Sequence, residues 1–385
     1  MRQMNYSLTT LATAVIERTV AVAELPGPTF EESARANLVA SWWKADGWST
    51  VHQDSAGNVW AEVRSGNAPA VALAAHLDTV FPAHVDHTVR REGTRLYGPG
   101  VGDDSVGLAA LSAIGSLVLR CGGSVPILLL ATTGEEGLGD LAGARYAVSS
   151  PPKDLGAFIA LEGNYLGRVG TVGVGSTRWH VETHGPGGHA WEASGTPSAV
   201  HEAAIRIARL ASVVVDPGQT SLNVGTLQGG EAINAIARQA VFDVDVRGAS
   251  PDDLAALTAS VRSVLEAEPP LGLSIEVTRA GSRPGGRIEP SHALVRSACD
   301  ALTARGLAPR CIASSTDANA AHAVGIPAVA LGVTTGADEH TLREWIDTAP
   351  LTDGLAALAD TVVRFEQAVN STFSPTPRRP PRPGG

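Results

Sequence analysis

The chain has 385 residues, 44% of them hydrophobic and 18% charged, which is material for a large core and excludes disorder over most of its length. A formal net charge of −10 with scattered basic residues lacks the footprint that holds a phosphate backbone, so no nucleic-acid partner is expected. Cys121, Cys299 and Cys311 form no paired pattern, the N-terminal apolar stretch is cut by Glu17 and Arg18, and no run approaches the roughly 18–20 apolar residues that span a bilayer; the chain reads as cytoplasmic, without disulfide framework, signal peptide or membrane anchor.

Apolar residues recur at helical spacing over 7–25 and 30–45, and Pro26, Gly27 and Pro28 break the run, which predicts two amphipathic helices. β-rich pieces follow at 58–63 and 70–75. The second is continuously apolar and runs straight into His76 and Asp78, and the C-terminal end of a buried strand is where open α/β sheets place ligands. A helix over 106–120, a strand over 125–132, a helix over 141–148 and an apolar run over 157–161 continue the alternation of a mainly parallel α/β sheet. Between 176 and 281 the order becomes strand (178–183), helix (198–214), strand (221–227), strand (240–246), helix (251–267) and strand (274–278). That is the βαββαβ order of a ferredoxin-like sandwich, inserted as a unit of its own. A helix over 291–305 and a strand over 328–332, leading to His340, resume the first domain. The expected division is therefore an α/β domain over 1–175 and 282–370, an insert over 176–281, and a Pro/Arg-rich tail over 371–385 that cannot bury apolar surface and should be disordered.

Acidic residues and histidines collect where the apolar strands end: His76 and Asp78 in AAHLDTVF, Asp103 and Asp104 in GPGVGDDSVG, Glu135 and Glu136 in TTGEEGLGD, Glu162 in IALEGN, and His340 in GADEHT. Clustered carboxylates at buried strand ends are costly unless they are paired or bind metal. His-x-Asp on a strand puts residues 76 and 78 on one face, so one can bind an ion while the other orients it. Two histidines and three carboxylates, one of them shared by ions about 3.5–4 Å apart, complete a hydrolytic two-zinc site, with Co or Mn as possible substitutes. Other catalytic patterns fail. Asp103 stands where the first glycine of a nucleophile elbow should be, GPGVG lacks a dinucleotide fingerprint's third glycine, and neither a P-loop nor HExxH occurs.

The set HLDTV, GPGVGDD, GEEG, LEG, GPGGHAW and EHT resembles the dizinc exopeptidase and amidohydrolase family that includes glutamate carboxypeptidase, tripeptidase, acetylornithine deacetylase and succinyl-diaminopimelate desuccinylase, in the family's order from about residue 8 to 368. The resemblance implies a catalytic α/β domain with an inserted dimerisation or lid domain. It implies His76 on one zinc, His340 on the other, Asp103 bridging, and Glu136 and Glu162 completing the shells. Only the family pattern chooses Asp103 over Asp104. Asp78 would fix the tautomer of His76, and Glu135 would be the general base. His189, in GPGGHAW, would reach the partner subunit's site and stabilise the oxyanion. Asn234 and Arg247 would contact the substrate, Arg247 through its carboxylate.

Ser105 departs from the lysine common in relatives. Glu162, where deacylases more often carry Asp, leans toward the peptidase branch, as does SSTDAN at 314–319; that segment and GSRPGG around Arg283 are expected along the substrate pocket. The resulting expectation is a homodimeric two-zinc hydrolase cleaving an amide bond of a small peptide or peptide-like substrate. An N-acyl amino acid deacylase or desuccinylase is the alternative. A non-catalytic scaffold would lack ligands or base, and every position is present.

Overall fold

A computed structural model describes residues 7–373. Helices α1 (Leu8–Ala23) and α2 (Ser33–Ala45) open the described chain, with the Ser7 hydroxyl accepting from the Thr10 amide at 3.1 Å to cap the first. There follow β1 (Ser49–Gln53), β2 (Val59–Arg64), β3 (Ala70–His76), α3 (Val106–Arg120), β4 (Ile127–Thr132), α4 (Ala142–Ser149), β5 (Leu155–Leu161) and β6 (Arg168–Gly173). Strands β3 and β4 are buried along their whole length, as an unbroken apolar run requires when both faces of a strand are covered. Val71, Leu73 and Ala75 pack toward α1 and α3, whereas Ala70, Ala72 and Ala74 pack toward α4 on the opposite face. The stretch Val101–Arg120 is apolar enough to cross a membrane by length and composition, and 83% of its most apolar window is buried in this core.

The insert comprises β7 (Gly175–His184), α5 (Ala199–Leu210), β8 (Thr220–Gly229), β9 (Gln239–Gly248), α6 (Pro251–Leu265) and β10 (Ser274–Arg283). Its sheet runs β8-β9-β7-β10 with every neighbour antiparallel. Trp179, Val181, Phe242, Val244 and Val246 alternate inward beneath residues of α5 and α6 such as Ala203 and Val261. Arg178, His180, Asp243, Asp245 and Arg247 fall on the other face by the two-residue period. Its strands begin and end one to two residues outside the expected 176–281. Helix α5 stops at Leu210 instead of 214, because the β-branched run 213–215 does not sustain a helix, and α6 stops at Leu265 ahead of Pro269 and Pro270.

The chain then adds α7 (Ala293–Thr303), β11 (Arg310–Ser314), α8 (Ala318–Ala323), β12 (Ala328–Leu331) and α9 (Leu351–Phe373). Among the described residues the main sheet has nine strands: the path β1-β2-β4-β3-β5-β12-β6 ends on Gly286–Arg287, and β11 lies beside β6. The centre, β4-β3-β5-β12, is parallel, whereas β2 and β6 join it antiparallel and β1 pairs antiparallel with β2. The mainly parallel expectation thus describes the middle of the sheet, since the short link at 54–58 permits only an antiparallel return from β1 to β2. A separate four-stranded sheet of short segments (Arg90–Glu92, Arg95–Tyr97, Trp345–Asp347, Thr335–Ala337) sits over the strand ends, and sequence periodicity gave no sign of it. Helix α9 runs three residues into the stretch expected as tail; the rest of that stretch, 374–385, lies outside the described residues.

Candidate metal centre

Five segments converge at the C-terminal edge of the parallel strands. Strand β3 ends on His76, β4 leads to Glu135 and Glu136, β5 leads to Glu162, the turn before α3 carries Asp103, and a loop of the small sheet carries His340. Asp103 lies between the histidines: its Oδ1 is 2.7 Å from His76 Nε2 and its Oδ2 is 3.0 Å from His340 Nε2. His340 Nε2 is also 3.1 Å from Glu136 Oε1. Ligand atoms of His76, Asp103 and Glu162 fall within 4.8 Å of one another, as do those of Asp103, Glu136 and His340, so two triads share Asp103. His76, Glu135 and Glu136 form a third such group. Asp104 is turned away, its Oδ1 accepting from the Gly163 amide at 3.0 Å.

Asp78 meets His76 through two groups. Its main-chain carbonyl is 2.9 Å from His76 Nδ1, which leaves Nε2 facing the cluster, while its carboxylate stands 3.5 Å from that ring. The carboxylate also accepts from the amides of Glu135 (2.9 Å) and Glu136 (2.8 Å) and from the Thr29 hydroxyl (2.9 Å), and so fixes the turn that presents both glutamates.

Two supporting residues, Glu344 and Arg35, escaped sequence reasoning. Buried Glu344 accepts from the amides of Gly100 (2.8 Å), Gly102 (2.7 Å) and Asp103 (2.9 Å), holding the turn that aims Asp103. Gly100 has φ 68°, a left-handed conformation suited to glycine, and an added Cβ would meet Thr79 Cγ2 at 2.6 Å. Arg35 of α2 donates to the Leu77 carbonyl (2.7 Å) and to the Ser105 hydroxyl, bringing a cation to the place where relatives were expected to carry lysine. Asp317, within SSTDAN, accepts from Thr132 at 2.5 Å beneath the strand ends. The signal available for Glu344 was a glutamate four residues beyond His340. Arg283, in the segment expected along the pocket, grips Glu135: Nη1 donates to its Oε1 at 3.0 Å and Nη2 to its main-chain oxygen.

The electrostatics match a site built to exchange protons for cations. Burial opposes a charged His76, but hydrogen bonds to Asp103 and Asp78 outweigh it and raise the ring well above the usual histidine range. Hydrogen bonds to Asp103 and Glu136 push His340 up to about 10. Burial works against ionisation of Asp103, yet donation from His340 and His76 holds it below the usual carboxylate range. Burial pushes Glu135 up to about 8, with Arg283 working against the shift and Glu136 adding to it. Burial and the nearby Asp103 likewise push Glu162 well up. Metal ligands must shed such protons, so the donor set, two imidazoles and three carboxylates in two triads, fits a pair of divalent cations.

The three residues expected from the insert are not brought to this cluster. His189 lies on a two-residue ribbon, Gly188–His189 paired with Ala235–Ile236, and its exposed ring accepts from the Trp191 amide at 3.3 Å. Asn234 is exposed, and its carbonyl accepts from Ala190 at 2.9 Å on the same ribbon. The Arg247 guanidinium is held by Asp245 at 2.7 Å.

Residues 72–364 match the model of peptidase family M20/M25/M40. A probable carboxypeptidase of Aspergillus clavatus is 28% identical over 64% of this chain and 64% of its own length. A succinyl-diaminopimelate desuccinylase of Corynebacterium glutamicum is 28% identical over 78% of this chain and 83% of its own. The chain spans 48–64% of the length of the first fungal carboxypeptidases it matches. Among solved structures, a tripeptidase of Staphylococcus aureus superposes with a TM-score of 0.74 at 23% identity, covering 94% of this chain and 99% of that one.

Proposed function

The chain belongs to peptidase family M20/M25/M40, and from that membership we propose that it is a dinuclear metallohydrolase cleaving an amide bond of a small peptide or peptide-like substrate. The observation that carries this reading is Asp103, poised between His76 and His340 with Glu135 alongside. His76, Glu162 and Asp103 would hold one zinc, and Asp103, Glu136 and His340 the other. When bound, such a pair supplies Lewis acidity toward the scissile carbonyl and lowers the pKa of the attacking water. Glu135, adjacent to a ligand and gripped by Arg283, accepts the proton of that water at a carboxylate oxygen and returns it to the leaving amine. Nearby cations favour its ionised form, so the value of about 8 belongs to the metal-free protein.

The second half of the reading concerns the insert. A homodimer in which the partner subunit's His189 reaches this cluster accounts for an exposed ring on a short ribbon. Trp191 (85% exposed), Leu227 (55%) and Ile233 (105%) give the insert the apolar surface such an interface needs. Arg247 and Asn234 would meet the substrate's carboxylate on closure. The three cysteines are free, in keeping with a cytoplasmic location.

The test is amine release, followed by mass spectrometry, from a pool of di- and tripeptides, N-acyl amino acids and N-succinyl diamino acids, with zinc-loaded and chelator-stripped protein in parallel. Cleavage of peptides only with metal is expected. The desuccinylase of C. glutamicum, matched over most of both chains, supports a second reading, and deacylation without peptide cleavage would establish it. Metal-independent or absent turnover would overturn both.

A further inference from the structure

The turn that follows Glu135 and Glu136 is tied to the open face of the insert by a chain of alternating charges. Arg178 of β7 donates through Nη1 to the Gly137 carbonyl and to Asp140 Oδ1 (3.2 Å), and through Nε to Asp245 Oδ1 (3.0 Å). Asp245 stands directly opposite Arg178 on β9, and its other oxygen accepts from Arg247 Nε at 2.7 Å. The side chains of Arg178 and Asp140 are only 16% and 17% exposed, so their contact is not a solvated surface pair. One guanidinium thus joins the segment that carries Glu135 to the residue that holds Arg247.

The seam between the two domains is shaped for this contact. Asp140 (φ 53°) and Leu141 (φ 61°) are left-handed without being glycine, a conformation that persists where neighbours over-determine it. Asp140 Oδ2 accepts from the Ser282 amide of β10 at 2.7 Å. Gly281, paired with Arg178 across the sheet, leaves room for that oxygen, which a Cβ would meet at 2.5 Å. Other contacts cross the same seam: Arg145 of α4 donates to the Ser282 carbonyl at 3.2 Å, and Arg283 holds Glu135. They stop where the chain crosses, whereas the contact through Arg178 continues to Arg247.

We propose that Arg178 is a positioning residue that sets the spacing between the amide presented to Glu135 and the substrate carboxylate met by Arg247, and so selects substrates by the number of bonds between those two groups. That role rests on the reading of Glu135 as base and Arg247 as carboxylate contact; the tie itself does not. Arg178 lies beside both crossings of the chain, at 173–175 and 283–286, so a closing insert pivots about the tie without breaking it. Only a guanidinium fork reaches Asp140 and Asp245 at once, which an ammonium on a flexible stem does not do.

Steady-state kinetics of the full zinc-loaded chain tests this with alanyl-alanine and alanyl-β-alanine, which differ by one methylene between amide and carboxylate, or with the N-succinyl derivatives of alanine and β-alanine if the chain deacylates. The wild type is expected to prefer one of the pair by at least about tenfold in kcat/KM. Arg178→Met should shrink that preference to about threefold or less with both metals retained, and Arg178→Lys, which keeps the charge without the fork, should do the same. KM for the preferred substrate should rise about fivefold in Arg178→Met but less than about twofold in the Arg247→Ala background, where the contact that Arg178 positions is already gone. Equal increases in both backgrounds, no preference in the wild type, or a preference kept in either Arg178 variant would overturn the proposal. An unchanged KM in Arg247→Ala alone would instead overturn the reading of Arg247. If no amide turns over, the functional reading fails, while hydrogen exchange still decides the tie: residues 137–143 should exchange about tenfold faster in Arg178→Met, and unchanged protection would overturn it.

Discussion

The sheet end that carries the cluster and the open face of the insert are built from the same residue types, yet one is assembled within the chain and the other is not. At the sheet end, His76, Asp78 and Glu344 are buried, and backbone amides and carbonyls fix their orientation. On the insert, His189 and Asn234 project from a short ribbon, and Arg247 is satisfied by its neighbour Asp245. Chemistry that must stay positioned between turnovers is preorganised by buried backbone, whereas the exposed groups of the insert would act only on closure onto a second subunit, as proposed above.

The largest test of this contrast falls at the sheet end. Glu135→Gln should lower kcat by roughly 10²–10⁴-fold, while metal analysis finds both cations retained. A variant that keeps more than about a tenth of the wild-type rate would remove Glu135 as the base. His189→Ala should cost about 10²-fold in kcat, the loss expected for one oxyanion donor, again with metals retained. Mixing the two variants sharpens the comparison. Heterodimers contain one site that combines an intact Glu135 with an intact partner subunit's His189, so activity should reappear on mixing. Failure to recover would place His189 within its own subunit or outside the reaction.

Smaller effects separate support from contact. Glu344→Gln should weaken metal binding about 10–100-fold, because an amide NH2 replaces one of the two oxygens that accept from the amides of the turn that aims Asp103. Competition with a chromophoric chelator measures this, and unchanged affinity would make Glu344 a fold residue only. Arg247→Ala should raise KM about tenfold with little change in kcat, since it would remove binding shared by ground and transition states. A fall in kcat at constant KM would instead put the guanidinium beside the reacting atoms.

The same contrast explains what the sequence disclosed. A buried strand running into His76 and Asp78 is visible because an unbroken apolar run must end where polar groups can be paired, and the insert's βαββαβ order is visible because its strands alternate. The small sheet that carries His340 was not, since segments such as Arg90–Glu92 and Trp345–Asp347 are three residues long and show no period. Glu344 was missed for a related reason: its partners are amides of a turn more than 240 residues earlier, and such a partnership leaves no local mark. Spacing places Asp78 on the face of His76 without saying which neighbours it bonds, so its acceptance from the Glu135 and Glu136 amides left no mark in the sequence. The grip of Arg283 on Glu135 crosses from the insert to the α/β domain, and only the folded chain juxtaposes them.

The mildest perturbation is pH acting on the metal-free protein. His340 is raised to about 10 and Glu135 and Glu344 to about 8, all above their unfolded values of about 6.5 and 4.3. A raised group contributes stability that is fully present below its unfolded pKa and is lost as pH climbs through the folded value. Asp103 shifts the opposite way, so its contribution is lost only in acid. Chelator-stripped protein should therefore lose several degrees of Tm between about pH 7 and 10, the range set by these values. Bound cations replace those protons, so the Tm of zinc-loaded protein should vary less over the same range. Scanning calorimetry of the two forms decides the matter. Parallel curves would mean that the histidines and carboxylates at the sheet end do not share protons in the metal-free state, and the preorganised half of the comparison would lose its electrostatic basis.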